Sequence, residues 1–290
     1  MRRLLAAERV RFGHRRDLWL LMILVPVVMG LLFLNEFDRT VQGIHSVLNF
    51  DVGGGQPDPD FLAQVQAQIR QESLAQLPAF AFPANLVRMA TGPIEVILLA
   101  LYLSIALVAG EFEWGTVRTI HLTANRGAVL AIRVVLVVGL VLTALIVGLL
   151  IGTVLPFFMS IDGTPLQQYA GPTPDLVPAL ALRVLIILPF ISIPVLISVI
   201  SRSTGVSFLL TILVFVVDLA MTGTPFWRDG PAPWVPALTI SGSISRLLGD
   251  ETTPLAAVAP GWTSVVALIA WSLLPVLAAI GLFRRQDLNE

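Results

Sequence analysis

Apolar residues are concentrated in six long stretches of the chain, separated by more polar segments. A helix needs about 20 residues to cross the hydrocarbon core of a bilayer, and each stretch has close to that length or more. Because backbone amides in lipid must be hydrogen-bonded within their own segment, stretches that cross must be helical. The pattern therefore predicts an all-α polytopic membrane protein with six transmembrane helices, at residues 18–34, 93–109, 129–155, 176–200, 205–221 and 262–283.

The placement of arginine predicts the orientation of these helices. With the N-terminus inside, the cytoplasmic pieces contain eleven arginines and the outer pieces five, while Arg133 and Arg183 stay within the spans. Both termini are therefore expected in the cytoplasm, as in a multi-pass protein of the cytoplasmic (inner) membrane. The first stretch is expected to be retained, because Asn35, Glu36 and Phe37 follow it instead of a small-residue cleavage site.

The segments outside the spans predict a single transmembrane domain over residues 1–290. Residues 1–17 are basic and amphipathic, which is typical of an interfacial helix and equally of a topology signal. The outer loop, residues 35–92, is expected to contain one short helix that starts at Asp58-Pro59 and ends at Pro78. The proline-rich outer segment, residues 222–261, favours short surface or re-entrant helices.

Composition excludes several classes of protein. The chain is 56% hydrophobic and only 13% charged, whereas soluble domains carry about 25% charge. An ordinary soluble enzyme, a disordered protein and a nucleic-acid binder are thereby excluded. The chain has no cysteine, and all 18 basic residues are arginine. Disulfides, thiolate metal sites, Schiff bases and a phosphate-binding P-loop lysine are therefore excluded as well.

No catalytic, cofactor-binding or metal-binding residues are predicted, so the chain is not expected to be an enzyme. The histidines His14, His45 and His121 are scattered and form no His-Glu-x-x-His motif. Ser243 has no later histidine, and Asp218 has no second aspartate within the spans.

Two charged residues lie within predicted spans four and five. Counted from the turn between these spans at 1.5 Å per residue, Arg183 lies about 29 Å away and Asp218 about 23 Å away. An arginine side chain can bridge that offset, so the two residues are predicted to form an intramembrane charge pair. The functional alternative is a substrate or proton site. Glu95 lies at the start of span two, where a helix N-terminus favours a carboxylate.

The most informative segment is the predicted cytoplasmic loop, residues 110–127, after span two. It contains Phe112 and Trp114, which are apolar residues in a loop that should be wet, among charged residues. Such a pattern is typical of a docking surface for another protein, and equally of an amphipathic connector on the membrane. The loop also contains a Glu-x-x-x-Gly-Thr-x-Arg pattern, formed by Glu111, Gly115, Thr116 and Arg118.

This segment resembles the loop after the second span in ABC exporter permeases of the ABC-2 type. The basic N-terminus, the six spans and the closing Phe-Arg-Arg-Gln-Asp-Leu at residues 283–288 extend the resemblance. The resemblance implies a coupling helix that sits in a groove of a separate ATPase subunit, present in two copies. It also implies a second permease chain, identical or different, in the surrounding membrane lipid. The coupling contact would then use Glu111, Glu113, Gly115, Thr116 and Arg118.

The absence of lysine agrees with that implication, because a fused ATPase would need a P-loop lysine. ATP and Mg²⁺ are accordingly expected in the partner subunit and not in this chain. One alternative is an ion-gradient-driven secondary transporter or channel that uses Asp218, Arg183 or Glu95. A non-transporting anchor or sensor that binds through the outer loop is another.

Overall fold

The computed structural model consists almost entirely of helices. About 90% of the residues that it describes are helical. These residues are 16–45, 59–91, 94–113, 126–172, 175–224, 234–248 and 261–285. The predicted interfacial helix at the N-terminus and residues 114–125 of the coupling segment lie outside this part of the chain.

The described residues form ten α-helices and one minimal hairpin. Six of the helices are long and apolar enough to cross a membrane, namely α1, α4, α5, α6, α7 and α10. The predicted all-α, six-span architecture is therefore confirmed, and the chain is a multi-pass membrane protein. In chain order the helices are α1 (Arg16–His45), α2 (Pro59–Gln76), α3 (Ala84–Thr91), α4 (Ile94–Glu113), α5 (Arg126–Val154), α6 (Leu176–Ser201), α7 (Thr204–Gly223), α8 (Val235–Leu238), α9 (Ile240–Leu247) and α10 (Gly261–Arg285). Strands β1 (Ser160–Ile161) and β2 (Thr164–Pro165) pair antiparallel, and 3₁₀ turns occupy Leu77–Ala79, Leu155–Phe158 and Leu166–Tyr169.

The long helices leave many large apolar side chains exposed. On α7, for example, Phe208, Leu209, Leu213 and Leu219 are exposed. A soluble protein rarely exposes a contiguous apolar surface of this extent. Lipid tails are as apolar as these side chains, so the exposure is what a membrane-spanning helix requires.

The structure corrects the predicted end of the first span, and it also extends the second span from residue 109 to Glu113. Helix α1 continues to His45, so residues 35–45 are helical and do not belong to the outer loop. Glu36 and Asp38 end the apolar stretch, but neither residue breaks a helix, and the Thr40 hydroxyl donates to the Glu36 carbonyl inside it. Polarity marked the end of the apolar region and not the end of the helix.

Two predicted short elements are confirmed. Helix α2 begins at Pro59, whose fixed φ suits the first helical position. It ends at Gln76, just before a 3₁₀ turn that contains Pro78. The proline-rich segment 222–261 forms the short helices α8 and α9 in its described portion.

The chain divides into two compact units, each assembled from segments distant in sequence. The larger unit contains Met1–Ile23, Ile94–Ala144 and Ala181–Glu290. The smaller unit contains Leu24–Pro93 and Leu145–Leu180. Helices α1, α5 and α6 therefore each contribute residues to both units.

In the larger unit, the short helices α8 and α9 pack against α7 and α10. Ile186, Ile193, Ile240 and Leu268 form a buried cluster that joins α6, α9 and α10. Close backbone approach is required at Gly242, because a Cβ there would overlap the Pro236 carbonyl. Glycine at this position lets α9 fold back directly onto α8.

The smaller unit is built around the fully buried ring of Phe80. Phe33 and Phe37 of α1 approach this ring with centroids 5.6 Å away. The Arg88 guanidinium lies 3.9 Å from the ring centroid and donates to Glu36 over 2.6 Å. A cation over an aromatic face is electrostatically favoured. Phe80 therefore joins the segment after α2 to both α1 and α3.

Replacement of Phe80 by alanine should destabilise the smaller unit by about 3–5 kcal/mol, because a large buried aromatic leaves a cavity. Hydrogen exchange of the amides in residues 77–91 measures the local opening free energy. Phe61→Ala is the matched control, since Phe61 is exposed on α2. Equal loss of protection in both variants would contradict the central role of Phe80.

Candidate functional site

The structure describes the start of the predicted coupling segment and not its centre. Helix α4 ends at Glu113 and α5 begins at Arg126. Glu111 and Glu113 lie in the described part of the chain, in the last turn of α4. The candidate coupling residues Gly115, Thr116 and Arg118 lie outside the described residues.

Glu111 lies in the interior of the larger unit. Its side chain is ion-paired with Arg133, which lies about two turns into α5, and the closest nitrogen and oxygen are 3.4 Å apart. Residue exposures are only 5% for Glu111 and 2% for Arg133. Two buried opposite charges offset part of each other's desolvation cost.

This burial corrects the role expected for Glu111. A residue that contacts an ATPase subunit must present its side chain on an accessible surface, and the Glu111 carboxylate does not. The structure makes Glu111 an internal link between the last turn of α4 and the first part of α5.

Glu113, two residues further on, is exposed and bonds to the N-terminus of α7. Its carboxylate accepts hydrogen bonds from the Thr204 amide at 2.6 Å, the Thr204 hydroxyl at 2.9 Å and the Ser203 hydroxyl at 3.2 Å. Ser203 is the N-cap of α7 but makes no capping bond within its own helix. Glu113 supplies the missing acceptor, and its negative charge suits the positive end of the helix dipole.

Phe112, between the two acids, contacts a third helix. Its ring meets that of Phe283 on α10 edge-on, with centroids 5.8 Å apart and an interplanar angle of 88°. Such T-shaped pairs are favoured by the ring quadrupoles. The same end of α10 approaches the start of α5, where a Cβ on Gly127 would overlap the Arg284 guanidinium.

Three consecutive residues at the end of α4 thus bind three different long helices. We call Glu111, Phe112 and Glu113 the α4 anchor; they contact α5, α10 and α7, respectively. The end of α4 is therefore connected to three other long helices of the larger unit.

The other predicted site, the Arg183–Asp218 pair, is not what the structure contains. The Asp218 carboxylate accepts hydrogen bonds from the Ile240 and Ser241 amides, both at 2.8 Å, and a short one from the Ser241 hydroxyl. These donors form the N-terminus of α9, so Asp218 caps that helix from α7.

Arg183 has a different electrostatic neighbour. It is almost fully buried in α6, and the negative charge that acts on it is Glu95 at the start of α4. The predicted pairing relied on the heights of Arg183 and Asp218 along their two helices, and these heights differ by no more than the length of an arginine side chain. The sequence could not give the rotation of each helix, nor the amides that α9 brings to Asp218.

Sequence reasoning also missed the partner of Glu111. The signal was present, because Arg133 is a cation inside an apolar stretch next to a span that ends with an acid. A charge within lipid requires a partner, and the neighbouring helix end is a natural place for one.

The described residues contain no group of three or more histidine, cysteine, aspartate or glutamate residues able to hold a metal ion. Of the three histidines, His45 lies in this part of the chain, 3.5 Å from Asp162 in the smaller unit.

No protein-family model, curated protein or solved structure matches the chain. The resemblance to ABC-2 permeases therefore rests on features of the sequence: the loop motif, the span layout, the basic N-terminus and the closing residues 283–288.

Replacement of Glu111 by glutamine should destabilise the protein by about 3–5 kcal/mol, because it leaves Arg133 buried without its counter-charge. Replacement of both residues, as Glu111→Gln with Arg133→Met, should cost less than the sum of the single changes. Denaturant unfolding in mixed micelles measures each free energy.

Glu113→Gln is the control, because an exposed carboxylate contributes far less than a buried one. If the two single changes and the double change proved additive, the buried pair would contribute nothing to stability.

Proposed function

We propose that the chain is a transmembrane subunit of an ATP-driven exporter of the ABC-2 type, in the cytoplasmic membrane. A separate ATPase subunit, in two copies, would supply the energy through residues 110–127. Two permease chains would together line the pathway. The observation that carries the proposal is the Glu-x-x-x-Gly-Thr-x-Arg motif, which begins in the last turn of the second of six spans.

The α4 anchor supports this proposal in physical terms. A coupling segment must receive force from a soluble subunit and pass it to the spans. Glu111, Phe112 and Glu113 connect the start of the segment to α5, α10 and α7. In this proposal, the α4 anchor would pass movement of the coupling segment to the spans α5, α7 and α10.

The α4 anchor also separates the candidate coupling residues into two groups with different roles. Glu111 and Glu113 are bonded within the permease, so Gly115, Thr116 and Arg118 are left as the proposed contacts with the ATPase. A charged residue at the edge of an interface sets register and partner choice. Arg118 is the cation of the motif and would serve that purpose.

The charges in the spans disfavour the gradient-driven alternative. A secondary transporter needs an ionisable group that can exchange its partner during the cycle. Glu111 is paired with Arg133, and Asp218 caps α9. Each of these groups therefore has a structural neighbour.

The proposal predicts that the tagged full-length chain, extracted from its native membrane in mild detergent, co-purifies with an ATPase that carries a P-loop lysine. Arg118→Ala should lower the amount of ATPase per permease chain by about fivefold, which corresponds to about 1 kcal/mol at an interface. Quantitative mass spectrometry of the purified complex gives this ratio.

Arg70→Ala is the matched control, because Arg70 is an exposed arginine on α2 of the smaller unit. Two results would contradict the proposal. One is repeated isolation of the chain without any ATPase. The other is transport by membrane vesicles that persists when ATP is depleted and an ion gradient is kept.

A further inference from the structure

The larger unit contains an apolar groove between α7, the short helices α8 and α9, and α10. Its volume is about 500 Å³. Val214 and Val217 of α7, Leu238 at the end of α8 and Trp271 of α10 provide apolar walls. Several of these side chains are half-exposed, so the groove is open along one side. Because α7 and α10 are apolar enough to span a membrane, we expect a ligand to enter this groove from the bilayer.

One charged group lines this groove. Asp218 is 8% exposed and takes part in the lining together with Thr239. The Thr239 hydroxyl is bonded to the Pro236 carbonyl at 2.7 Å and accepts from the Gly242 amide at 3.1 Å, so it is engaged by the protein itself. The chemical character of the groove is therefore that of an apolar surface with a single carboxylate.

The negative charge of Asp218 is not neutralised by a cation in the described part of the chain. All the groups that bond to its carboxylate there are neutral: two backbone amides and one hydroxyl. These dipoles stabilise the carboxylate but leave its net charge in place. In a low-dielectric setting an uncompensated charge attracts an opposite charge far more strongly than it does in water.

Trp271 adds a second feature that favours a cation. Its indole Nε1 donates to the Leu238 carbonyl at 2.9 Å, which fixes the position of the ring at the groove wall. The face of an indole attracts organic cations through its quadrupole. Trp271 and Asp218 thus favour the same sign of charge on a ligand.

We propose that this groove binds an amphipathic organic cation. The apolar body of the ligand lies against Val214, Val217 and Leu238, and its positive centre lies on the side of Asp218. As a statement about cargo, this inference rests on the exporter function proposed above. As a statement about binding, it requires no ATPase and can be tested on the permease chain alone.

The test compares two probes of nearly equal size and apolarity but opposite charge, tetraphenylphosphonium and tetraphenylborate. Binding of each ion to the full-length chain in nanodiscs of neutral lipid is measured by equilibrium dialysis, with empty nanodiscs as background. Tetraphenylphosphonium should bind at least about tenfold more tightly than tetraphenylborate. Asp218→Asn should reduce the cation's affinity by about tenfold or more, because the charge is lost.

A second variant protects the test against loss of folding, since the side-chain amide introduced by Asp218→Asn cannot accept every hydrogen bond that the native carboxylate does. Val217→Trp fills the groove without changing any hydrogen bond of the carboxylate, and it should abolish binding of the cation. Leu209→Trp is its matched control on α7, because Leu209 is 69% exposed and does not line the groove. This control should bind as the unmodified chain does.

Equal binding of the two ions would overturn the proposal, because it would show a surface that takes any apolar molecule, such as a lipid acyl chain. Equal effects of Val217→Trp and Leu209→Trp would overturn the assignment to this groove. Either result leaves co-purification of an ATPase unaffected. The exporter function and the nature of its cargo can therefore fail independently.

Discussion

The buried ion pair between Glu111 and Arg133 is the interaction on which the architecture of the larger unit most depends. A carboxylate and a guanidinium that are almost fully buried are each costly alone and tolerable together. The pair therefore fixes how the last turn of α4 meets α5. Once Glu111 points inward, Phe112 and Glu113 must point to other sides of the same helix end. There they meet α10 and α7, which makes the end of α4 a junction of four helices.

The remaining charges of this unit follow the same constraint with different partners. Asp218 obtains backbone amides from a short helix that folds back between α7 and α10. Arg183 is almost fully buried on α6. Asp218 and Arg183, the charges predicted to pair, do not pair with each other. Membrane burial requires that a charged group be stabilised, but it does not dictate whether an opposite charge or the amides of a helix N-terminus do so.

The parts of this structure that could be predicted from sequence are those that depend only on the order of residues along the chain. Apolar length gives the six spans, and Pro59 gives the start of α2, because both signals are local. The direction of a side chain around its helix is not local, since it depends on which neighbour packs there. For this reason Glu111 was expected on a docking surface and lies inside, and Asp218 was expected to pair with Arg183 but caps α9. The end of α1 at His45 was missed because Glu36 and Asp38 change polarity without stopping a helix.

Helix α7 connects the two sites of the larger unit. Its first residue, Thr204, is bonded to Glu113 of the α4 anchor, and Asp218 lies fourteen residues further on, about 21 Å along the same helix. Only 17% of the most apolar part of this helix is buried, the lowest share among the six spans. Between its two bonded ends the helix is also held by Phe215, whose ring stacks on Phe190 of α6 with centroids 4.6 Å apart. A displacement of the α4 anchor would therefore reach the Asp218 groove through α7, and it would also act on the cluster of α6, α9 and α10 through Phe215. If residues 110–127 couple the chain to an ATPase as proposed, this contact gives them a direct physical route to the groove proposed to hold the ligand.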